Sequence, residues 1–465
     1  MKSSTSPTHI IADFVVNTGY VDLPYPAIEI AKTSIIDGLG VCLAGSQSPA
    51  SKIIADYVSE GGHRPEATVI SKGFKTSAAE AALANGTMMH ALDYDDCAEA
   101  FLGHPTTVIL PAVLALGESN QISGREALLS YILGYEVGNK IGLGMGPAHY
   151  DSGWHGTATV GTLAAAVAAS KILKLNVQKT GMAMGIAASL AAGLRQNFGT
   201  MTKPLHAGNA ARNGVFAALL AQKGFTADQS ILEGPFGYAR VFKGAAEPNL
   251  EAMTKNLGAP FEIVSIPPII KLYPSCRATA GCIDAILYLV SQHTINAEDV
   301  SEVECRTSSH TPQILIHSRP QTALEGKFSI QYCMAIAIVD KEVGLMQFTD
   351  QKVQYPKIQD LIKKVKFAHP PEMGHAMADS LRGRAEVVVR LKNGNEFSHL
   401  VELAKGDPEN PLAQNEIESK FLDCAQLVFS KQDAKQCLDK ISNLEHINDI
   451  STLMRVLNSP GGGDN

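Results

Sequence analysis

A lysine followed directly by a proline, Lys203-Pro204, lies in the stretch NFGTMTKPLHAGNAARNG at residues 197–214. Proline is favoured in the first turn of a helix, and it pushes the residue before it into an extended conformation. The pattern therefore predicts a helix that begins at Lys203 and ends at Gly224. Because the free N–H groups at a helix N-terminus attract anions, Lys203, with His206 close by on the first turn, is predicted to bind a carboxylate or a phosphate.

The surroundings of this lysine contain no acid. Between Ser152 and Ala227 there is no Asp or Glu, although the whole chain has 46 of them. An exposed helix end and an Ala-rich core would explain the lysines of residues 171–179, but they explain Lys203 less well. We predict that Arg212, two turns beyond Lys203, is structural or lies at a subunit contact.

A second polar cluster lies in HALDYDDCAEAFLGHP, residues 90–105. Three of its carboxylates (Asp93, Asp95, Asp96) and His104 could bind a metal ion. Alternatively, one acid orients the histidine, because a buried Asp fixes the tautomer of an imidazole and raises its basicity. We favour the second interpretation, with Asp93 orienting His104, because no second cluster of ligands follows in the sequence.

Further candidates lie in three other motifs. HYDSGWHG, residues 149–156, places Tyr150 and His155 before an Ala-rich helix, where a histidine can equally be a capping or core residue. KLYPSC begins with Lys271, and KFSIQY ends with Tyr332. A lysine at a domain junction is usually solvated, so Lys271 alone would carry little weight.

The composition indicates a globular protein of more than one domain. Its 465 residues exceed what one hydrophobic core holds, and 45% of them are apolar. The net charge of −7 argues against a nucleic-acid partner, but not against a small anionic substrate. The eight cysteines include no CxxC pair, which predicts free thiols and no zinc site. With no signal-peptide pattern, and with too much Gly, Ala and Thr in residues 152–170 for a membrane helix, we expect a cytoplasmic protein without a membrane partner.

Helical periodicity dominates the first 260 residues. Segments 27–45, 124–142 and 160–175 place apolar residues at helical spacing, and Gly45 is a suitable helix end. Small residues on all sides of these segments indicate helices that pack closely against other helices.

Strand patterns begin after residue 267. Residues 300–308 alternate apolar and polar side chains, and residues 384–403 form two β-rich runs around Asn393-Gly394, a strong hairpin signal. The last sixty residues return to amphipathic helix. We therefore predict a mainly α fold with these parts: a large all-α domain at 1–267 and 404–458, a smaller inserted α+β domain at 268–403, and a disordered tail at 459–465.

Taken together, five ordered motifs resemble the MmgE/PrpD family over nearly the whole chain. They are LDYDD…GHP, WHGTATVGTLAAA, GTMTKPLHAGNAARNG, KLYPSC and KFSIQY. The family includes 2-methylcitrate dehydratase, cis-aconitate decarboxylase and iminodisuccinate epimerase. The resemblance implies a large all-α domain, a smaller α+β lid domain and a homodimer. It also implies an active site between the two domains that needs no metal or organic cofactor.

The resemblance, carried over motif by motif, implies a pocket of Asp93, His104, His155, Lys203, Lys271 and Tyr332. Tyr150, Cys97 and His206 complete a set of nine predicted site residues. Those expected to act in catalysis are His104, Tyr150, His155 and Lys203, and those expected to bind substrate are Asp93, Cys97, His206, Lys271 and Tyr332. The decarboxylase pattern has a threonine where this chain has Cys97, and the dehydratase pattern has a tryptophan and an asparagine that the first motif lacks. The NFGTMTKP and HYxxGWH motifs are most similar to the epimerase, whose catalytic tyrosine matches Tyr150.

The three activities of the family share one chemical problem, because a carbon next to a carboxylate must carry negative charge in the transition state. Lys203 and His155 are expected to bind a carboxylate and to transfer protons, His104 to be a second acid or base, and Tyr150 to act on the opposite face. Preorganised charge stabilises such a transition state, and a positioned acid or base adds roughly two to four orders of magnitude in rate. We predict a cofactor-independent enzyme for a small di- or tricarboxylate, first a lyase (dehydratase or decarboxylase) and second an epimerase.

Three interpretations from other classes stay open. The chain could be a metal-dependent hydrolase that uses Asp93, Asp95 and His104, a pyridoxal-phosphate enzyme with a Schiff base on Lys203, or a binding protein without catalysis. Activity after chelation, visible absorbance and turnover of a polycarboxylate would separate these alternatives.

Overall fold

The structure is a computed structural model that describes residues 6–244 and 246–458. Within these residues the fold is mainly α, as predicted, with 22 α-helices and six short strands. The helices are α1 (Pro7–Asn17), α2 (Tyr25–Gly45), α3 (Pro49–Glu60), α4 (Ala78–His90), α5 (Thr106–Asn120), α6 (Gly124–Met145), α7 (Pro147–Asp151), α8 (Gly156–Ile172), α9 (Val177–Leu190), α10 (Thr202–Gln222), α11 (Tyr238–Lys243), α12 (Glu262–Ser265), α13 (Ala280–Gln292), α14 (Thr311–Ile314), α15 (Ala323–Gly326), α16 (Ile330–Asp340), α17 (Asp350–Val353), α18 (Pro356–Ile362), α19 (Met377–Arg382), α20 (Gln414–Ala425), α21 (Lys431–Ser442) and α22 (Ser451–Asn458). The strands are β1 (Ala67–Val69), β2 (Phe74–Thr76), β3 (Val300–Arg306), β4 (Val365–Ala368), β5 (Ala385–Leu391) and β6 (Glu396–Val401). The predicted tail, 459–465, lies outside the described residues.

The chain divides into two compact units. Unit 1 holds the chain up to Gln196, Thr202–Pro268 and the chain from Ala413 on, whereas unit 2 holds Asn197–Met201 and Ile269–Leu412. The boundaries therefore follow residues 268 and 412, against residues 267 and 403 in the prediction.

Local sequence signals explain where several long helices begin and end. Ser123 precedes α6, and its hydroxyl accepts a hydrogen bond from the Glu126 N–H at 3.3 Å. The Glu126 carboxylate accepts one from the Ser123 N–H at 2.9 Å, which completes a capping box. The predicted helix end at Gly45 is confirmed by α2.

Unit 1 is not entirely helical, which corrects the prediction of an all-α domain. β1 and β2 form an antiparallel pair with Val69 opposite Phe74. Glu118 of α5 anchors this pair, because its carboxylate accepts hydrogen bonds from the N–H and the hydroxyl of Thr68 at 2.6 and 2.8 Å. Strands of three residues are too short to show the alternating pattern that identifies a strand in a sequence.

Helices from both ends of the chain pack in unit 1. Lys420 of α20 forms a buried ion pair with Asp37 of α2, with 2.6 Å between Nζ and Oδ1. One turn further along α2, a Cβ added to Gly40 would lie 3.1 Å from Phe421. The C-terminal helical segment therefore completes the core of unit 1.

Unit 2 contains a four-stranded sheet in the order β4-β3-β5-β6. β3 pairs parallel with β4 and antiparallel with β5, and β5 and β6 form the predicted hairpin around Asn393-Gly394. Gly394 has a φ of 91°, which a turn of this kind requires. α13 packs on β5 and β6 and also on α16.

The structure also bears on membrane helices and on the state of the cysteines. Among the described helices, none has both the length and the hydrophobicity needed to cross a lipid bilayer. In the part of the chain that the structure describes, the eight cysteines are thiols and not disulfides, as predicted.

Candidate active site

The site begins at the end of α4, where the chain turns sharply. The Asp93 N–H donates a hydrogen bond to the His90 carbonyl at 3.2 Å, which closes a turn just after the helix. Asp93 has a φ of 51°, in the left-handed region. A non-glycine residue in this conformation costs free energy, and such strain concentrates at functional sites. The turn places the His90 and Asp93 side chains next to the same lysine.

Lys203 lies in the first turn of α10, as predicted, and it is 4% exposed. Its ammonium donates to Asp93 Oδ1 at 2.9 Å and to His90 Nε2 at 3.0 Å. Asp93 therefore already occupies one side of the ammonium at the predicted anion site. A substrate carboxylate at Lys203 would have to share the cation with Asp93.

His90 is held on its other side by Asp95. The two carboxylate oxygens lie 3.0 and 2.8 Å from His90 Nδ1, and both side chains are completely buried. Burial lowers the pKa of His90 to about 3, and Lys203 acts in the same direction. Burial alone would raise the pKa of Asp95, but His90 and His104 hold it well below its usual range. The ring is therefore neutral and the carboxyl group is ionised.

His104 is positioned by a narrow loop. Ala98 and Gly103 pair across this loop, and the His104 N–H donates to Thr157 Oγ1 at 3.1 Å. A Cβ on Gly103 would lie only 2.5 Å from the Thr157 backbone nitrogen, so the loop can approach the start of α8 only with glycine there.

The ring of His104 is oriented by main chain and by Asp95 rather than by Asp93, which corrects the prediction. His104 Nδ1 lies 2.8 Å from the Asp96 carbonyl, to which it donates, and 3.3 Å from Asp95 Oδ2. Its Nε2 lies 3.8 Å from Asp93 Oδ1, which is beyond hydrogen-bonding distance. Asp93 is therefore a neighbour of His104, but its main partner is Lys203.

After Lys203 with Asp93 and His90 with Asp95, His155 and His206 form a third pair of side chains. Their Nδ1 atoms lie 3.1 Å apart, and the His155 N–H donates to the Gly193 carbonyl at 3.0 Å. Burial lowers the pKa of His155 well below its usual value and that of His206 to about 4, and Lys203 acts in the same direction on both. Two neutral imidazoles can share one proton between their Nδ1 atoms, so one donates and the other accepts. The ring centroids of His155 and His90 are 5.9 Å apart, which joins the pairs into one cluster.

The Asp96 side chain hydrogen-bonds to Thr106 rather than to the lysine and the histidines. Its Oδ1 accepts a hydrogen bond from the Thr106 N–H at 3.2 Å, and its Oδ2 lies 2.6 Å from the Thr106 hydroxyl, which itself lies 2.6 Å from the Tyr131 hydroxyl. Burial raises the pKa of Asp96 to about 8, against the lowering effect of the Thr106 hydrogen bonds. Asp96 is therefore a neutral acid at pH 7 that supports the start of α5.

The other predicted residues of unit 1 are Cys97 and Tyr150. Cys97 is buried in the loop between Asp96 and Ala98. Tyr150, in α7, is covered by Arg195, whose guanidinium carbon lies 3.8 Å from the ring centroid and whose Nη1 donates to the Tyr150 carbonyl at 2.9 Å. These contacts fix the Tyr150 ring, but they assign no role to its hydroxyl.

Two predicted residues belong to unit 2. Lys271 is buried and lines a small crevice with Tyr273 and Arg277. Tyr332, in α16, is completely buried, and its hydroxyl donates to the Gln347 carbonyl. Tyr332 therefore belongs to the core of unit 2, and its hydroxyl is already engaged. Substrate binding by Tyr332 stays a prediction, which this geometry does not favour.

The donor atoms of the cluster are close enough to surround a metal ion. Within the described residues, His90, His104 and His155 offer nitrogens within 4.8 Å of one another, and so do the ligand atoms of His90, Asp93, Asp95 and His104. The Lys203 ammonium, however, is bonded to two of these donors, His90 Nε2 and Asp93 Oδ1. A dication would have to displace this ammonium, so the donor set fits its own lysine better than a metal.

Comparison with known proteins identifies the family of the chain. Residues 9–251 match the MmgE/PrpD N-terminal domain, and residues 273–446 match the MmgE/PrpD C-terminal domain. The chain belongs to the MmgE/PrpD family. The C-terminal match extends past residue 412, into the helices that the structure places in unit 1.

Three similar proteins align with nearly the full length of this chain. Cis-aconitate decarboxylase of Aspergillus terreus is 30% identical in an alignment of 482 positions, gaps included, that covers 99% of this chain and 97% of that protein. Cis-aconitate decarboxylase of Mus musculus is 28% identical, over 94% of this chain and 90% of that protein. The human cis-aconitate decarboxylase is 27% identical, over 93% of this chain and 90% of that protein.

His90 is the residue that the sequence-based prediction of the site missed. It begins the motif HALDYDD and contacts both Lys203 and Asp95, yet a histidine at the end of an Ala-rich helix resembles a core or capping residue. The spacing could have indicated His90, because a residue three positions before Asp93 can point to the same side of a turn and so reach the same lysine.

Proposed function

We propose that this chain is a lyase that removes carbon dioxide from a small unsaturated polycarboxylate of the kind that cis-aconitate represents. The proposal is supported by the full-length relatives that carry the name cis-aconitate decarboxylase. The observation that carries it is the buried cluster in unit 1, where one ammonium, Lys203, lies against neutral imidazoles and carboxylates.

Loss of carbon dioxide needs stabilisation of negative charge on carbon. The bond between the leaving carboxyl carbon and its neighbour breaks, and the electron pair stays on that neighbour. An adjacent double bond conjugated with another carboxylate spreads this charge onto oxygen. Lys203 can stabilise such an oxygen, and a preorganised charge away from water contributes several kcal/mol. Asp93 and His90 hold the ammonium in place before the substrate arrives.

A proton must then be added to carbon. His104 is suited to this step because its Nδ1 is fixed by the Asp96 carbonyl, so its Nε2 is the nitrogen that can exchange a proton with substrate. Its side chain is 12% exposed, against 0% for that of His90, so it is the more accessible of the two rings. Asp93 and Asp95, at 3.8 and 3.3 Å, stabilise the cation that forms when this ring holds a second proton. For a six-carbon tricarboxylate, the product is a five-carbon unsaturated diacid.

Dehydration and epimerisation remain the other activities to test, because they need the same stabilisation of charge next to a carboxylate. The purified protein is incubated in deuterated water with cis-aconitate and a panel of di- and tricarboxylates, and proton NMR and released carbon dioxide are followed. A shortened acid that carries deuterium, with an equal amount of carbon dioxide, supports the proposal. Loss of water, or deuterium exchange without a change in composition, would show another reaction of the family, and no turnover of any acid would refute a lyase.

A matched pair of variants connects the activity to the cluster. Lys203→Met removes the ammonium at the first turn of α10, and Lys223→Met removes an exposed one just beyond the last turn. We expect the first variant to lose turnover and the second to keep it. Activity that survives exhaustive chelation would also argue against the metal-dependent alternative.

A further inference from the structure

We propose that His90 and Asp95 are positioning residues for Lys203. Asp95 fixes His90 as the tautomer with its proton on Nδ1, and His90 Nε2 then accepts from the Lys203 ammonium and, with Asp93, aims it. The kinetic part of this inference depends on the proposed function, but the structural part does not.

The first step is the contact between Asp95 and His90. Both carboxylate oxygens lie within 3.0 Å of Nδ1, and water cannot compete because the two side chains are completely buried. An ionised carboxylate accepts hydrogen bonds and cannot donate them. The proton between the two groups must therefore belong to His90 Nδ1.

The second step is the contact between His90 and Lys203. The neutral ring carries its proton on Nδ1, so its Nε2 presents a lone pair, 3.0 Å from the ammonium. An ammonium group is a donor only, so this pairing requires the tautomer that Asp95 imposes. The neutral state of His90, which follows from its lowered pKa, is consistent with this arrangement.

The third step concerns direction. A lysine side chain has several rotatable bonds, and its ammonium is ordered only when acceptors define its position. Asp93 Oδ1 at 2.9 Å and His90 Nε2 at 3.0 Å supply two such acceptors. A carboxylate in place of His90 would bring a second negative charge to the ammonium. A neutral imidazole sets the direction and leaves more of the positive charge for a substrate carboxylate.

The chain of contacts uses a known physical effect. A carboxylate that holds the far nitrogen of an imidazole fixes which nitrogen carries the proton, and loss of that carboxylate can leave the ring in the wrong tautomer. Here the wrong tautomer would point an N–H of His90 at the Lys203 ammonium, so the two groups would repel each other. Asp95 therefore acts on Lys203 without touching it.

Two substitutions of His90 separate positioning from packing. In His90→Gln the amide oxygen can take the place of Nε2 and accept from Lys203, whereas in His90→Asn the shorter amide reaches only the place of Nδ1. We expect His90→Asn to lower kcat/KM roughly 100-fold, as for a misplaced catalytic group, and His90→Gln to keep activity within about tenfold of the wild type. Equal losses of kcat/KM in the two variants, or none in either, would overturn the proposal.

Thermal unfolding of the same proteins separates a loss of activity from a loss of folded protein. If His90 only filled space, both variants would lower the unfolding temperature, and the folded fraction would keep its kcat. Rescue of kcat by Gln and not by Asn, at similar unfolding temperatures, is the result that a purely structural role would not give.

The tautomer itself is measured by NMR on the full-length protein with 15N-labelled histidine, and the signal that disappears in His90→Gln assigns the ring. We expect a protonated Nδ1 and an unprotonated Nε2 at pH 7 in the wild type, a shift of the Nε2 signal in Lys203→Met, and a proton on Nε2 in Asp95→Asn. A wild-type ring with its proton on Nε2, or on both nitrogens, would disprove the proposal. This measurement decides the matter even if the protein turns over no polycarboxylate, an outcome that would refute only the proposed function.

Discussion

Gly86 of α4 and Gly208 of α10 lie at the crossing of two antiparallel helices, where a Cβ added to Gly86 would come within 2.8 Å of the Gly208 Cα. Beyond the crossing in one direction, Arg212 Nε lies 2.8 Å from Glu80 Oε1. In the other direction His90, at the end of α4, meets Lys203 at the start of α10. The close crossing therefore sets the distance between His90 and Lys203. Arg212 was predicted to be structural or to lie at a subunit contact, and within unit 1 it joins α10 to Glu80 of α4.

Gly208→Ala is expected to displace Lys203 from its partners. The new Cβ would lie 2.2 Å from both the Leu83 carbonyl oxygen and Thr87 Oγ1, and the first of these belongs to a helix backbone that cannot give way. Overpacking of this kind costs about 1–3 kcal/mol in stability. We expect a lower unfolding temperature, and we expect kcat/KM to fall roughly 100-fold because a catalytic group moves by about 1 Å.

The control for this variant is Phe216→Ala on the exposed side of α10, where Phe216 is 43% exposed. It alters the same helix without touching the crossing with α4, so we expect activity close to that of the wild type. Wild-type stability and activity in Gly208→Ala would show that the crossing tolerates a methyl group and does not set the position of Lys203.

His104→Asn tests the assignment of the proton donor. The asparagine amide can still donate to the Asp96 carbonyl in place of Nδ1, but it has no group at the position of Nε2. We expect kcat to fall by roughly 10²–10⁴, the usual contribution of general acid–base catalysis, with a small change in the unfolding temperature. Substrate affinity, measured by calorimetry, should change much less than kcat. Near-normal turnover would remove His104 from the mechanism.

The sequence predicted the elements that carry the site better than the contacts within it. The start of α10 at Lys203-Pro204, the hairpin at Asn393-Gly394 and the end of α2 at Gly45 follow from local rules for proline and glycine, and all three are confirmed. The pair β1–β2 and the short strand β4 were missed, because strands of three or four residues show no periodicity and depend on tertiary partners such as Glu118.

The partners of each charged group could not be predicted from spacing alone. The motif HALDYDD offers three acids to one lysine and two histidines, and only the turn at Asp93 decides which acid meets which group. The structure pairs Asp93 with Lys203, Asp95 with His90, and Asp96 with Thr106. The family resemblance supplied Asp93, His104 and Lys203, but not the link through His90.

His149 is expected to contribute a loss of stability as the pH drops from about 6.5 to about 4. Its Nδ1 lies 2.9 Å from the Phe242 carbonyl and its Nε2 lies 2.7 Å from the Thr159 hydroxyl. Burial lowers the pKa of His149 to about 4 from 6.5. In this window the unfolded chain binds a proton that the folded protein does not bind, so acid favours unfolding.

His149→Gln removes one such proton. The free energy of unfolding, measured with denaturant at several pH values, should then depend less steeply on pH, by up to about 1.4 kcal/mol per pH unit between pH 4 and 6.5. The exposed His63→Gln serves as the control for loss of a histidine elsewhere on the chain. An unchanged slope in His149→Gln would mean that this ring is charged in the folded protein.

Asp96→Asn is expected to change the pH dependence in the opposite direction. Because burial raises the pKa of Asp96 to about 8 from 3.8, the unfolded chain loses this proton at lower pH than the folded protein does. The stability that the neutral acid contributes is therefore lost as the pH rises towards 8. An amide cannot ionise, so the variant should gain stability relative to the wild type between pH 5 and pH 8. A difference in unfolding free energy that stays constant over this range would contradict a neutral Asp96.

Lys203→Met and Asp93→Asn together should separate stability from activity. Lys203 and Asp93 form a buried ion pair at 2.9 Å, with both side chains 5% exposed. Removal of one partner leaves the other charge buried and costs about 3–5 kcal/mol, whereas replacement of both avoids that cost. We expect Lys203→Met to lower the free energy of unfolding strongly, and the double variant to recover much of the loss. Turnover should stay absent in both, because the recovered stability does not restore an ammonium for the substrate. Recovery of turnover in the double variant would show that Lys203 holds Asp93 in place and has no direct role in the chemistry.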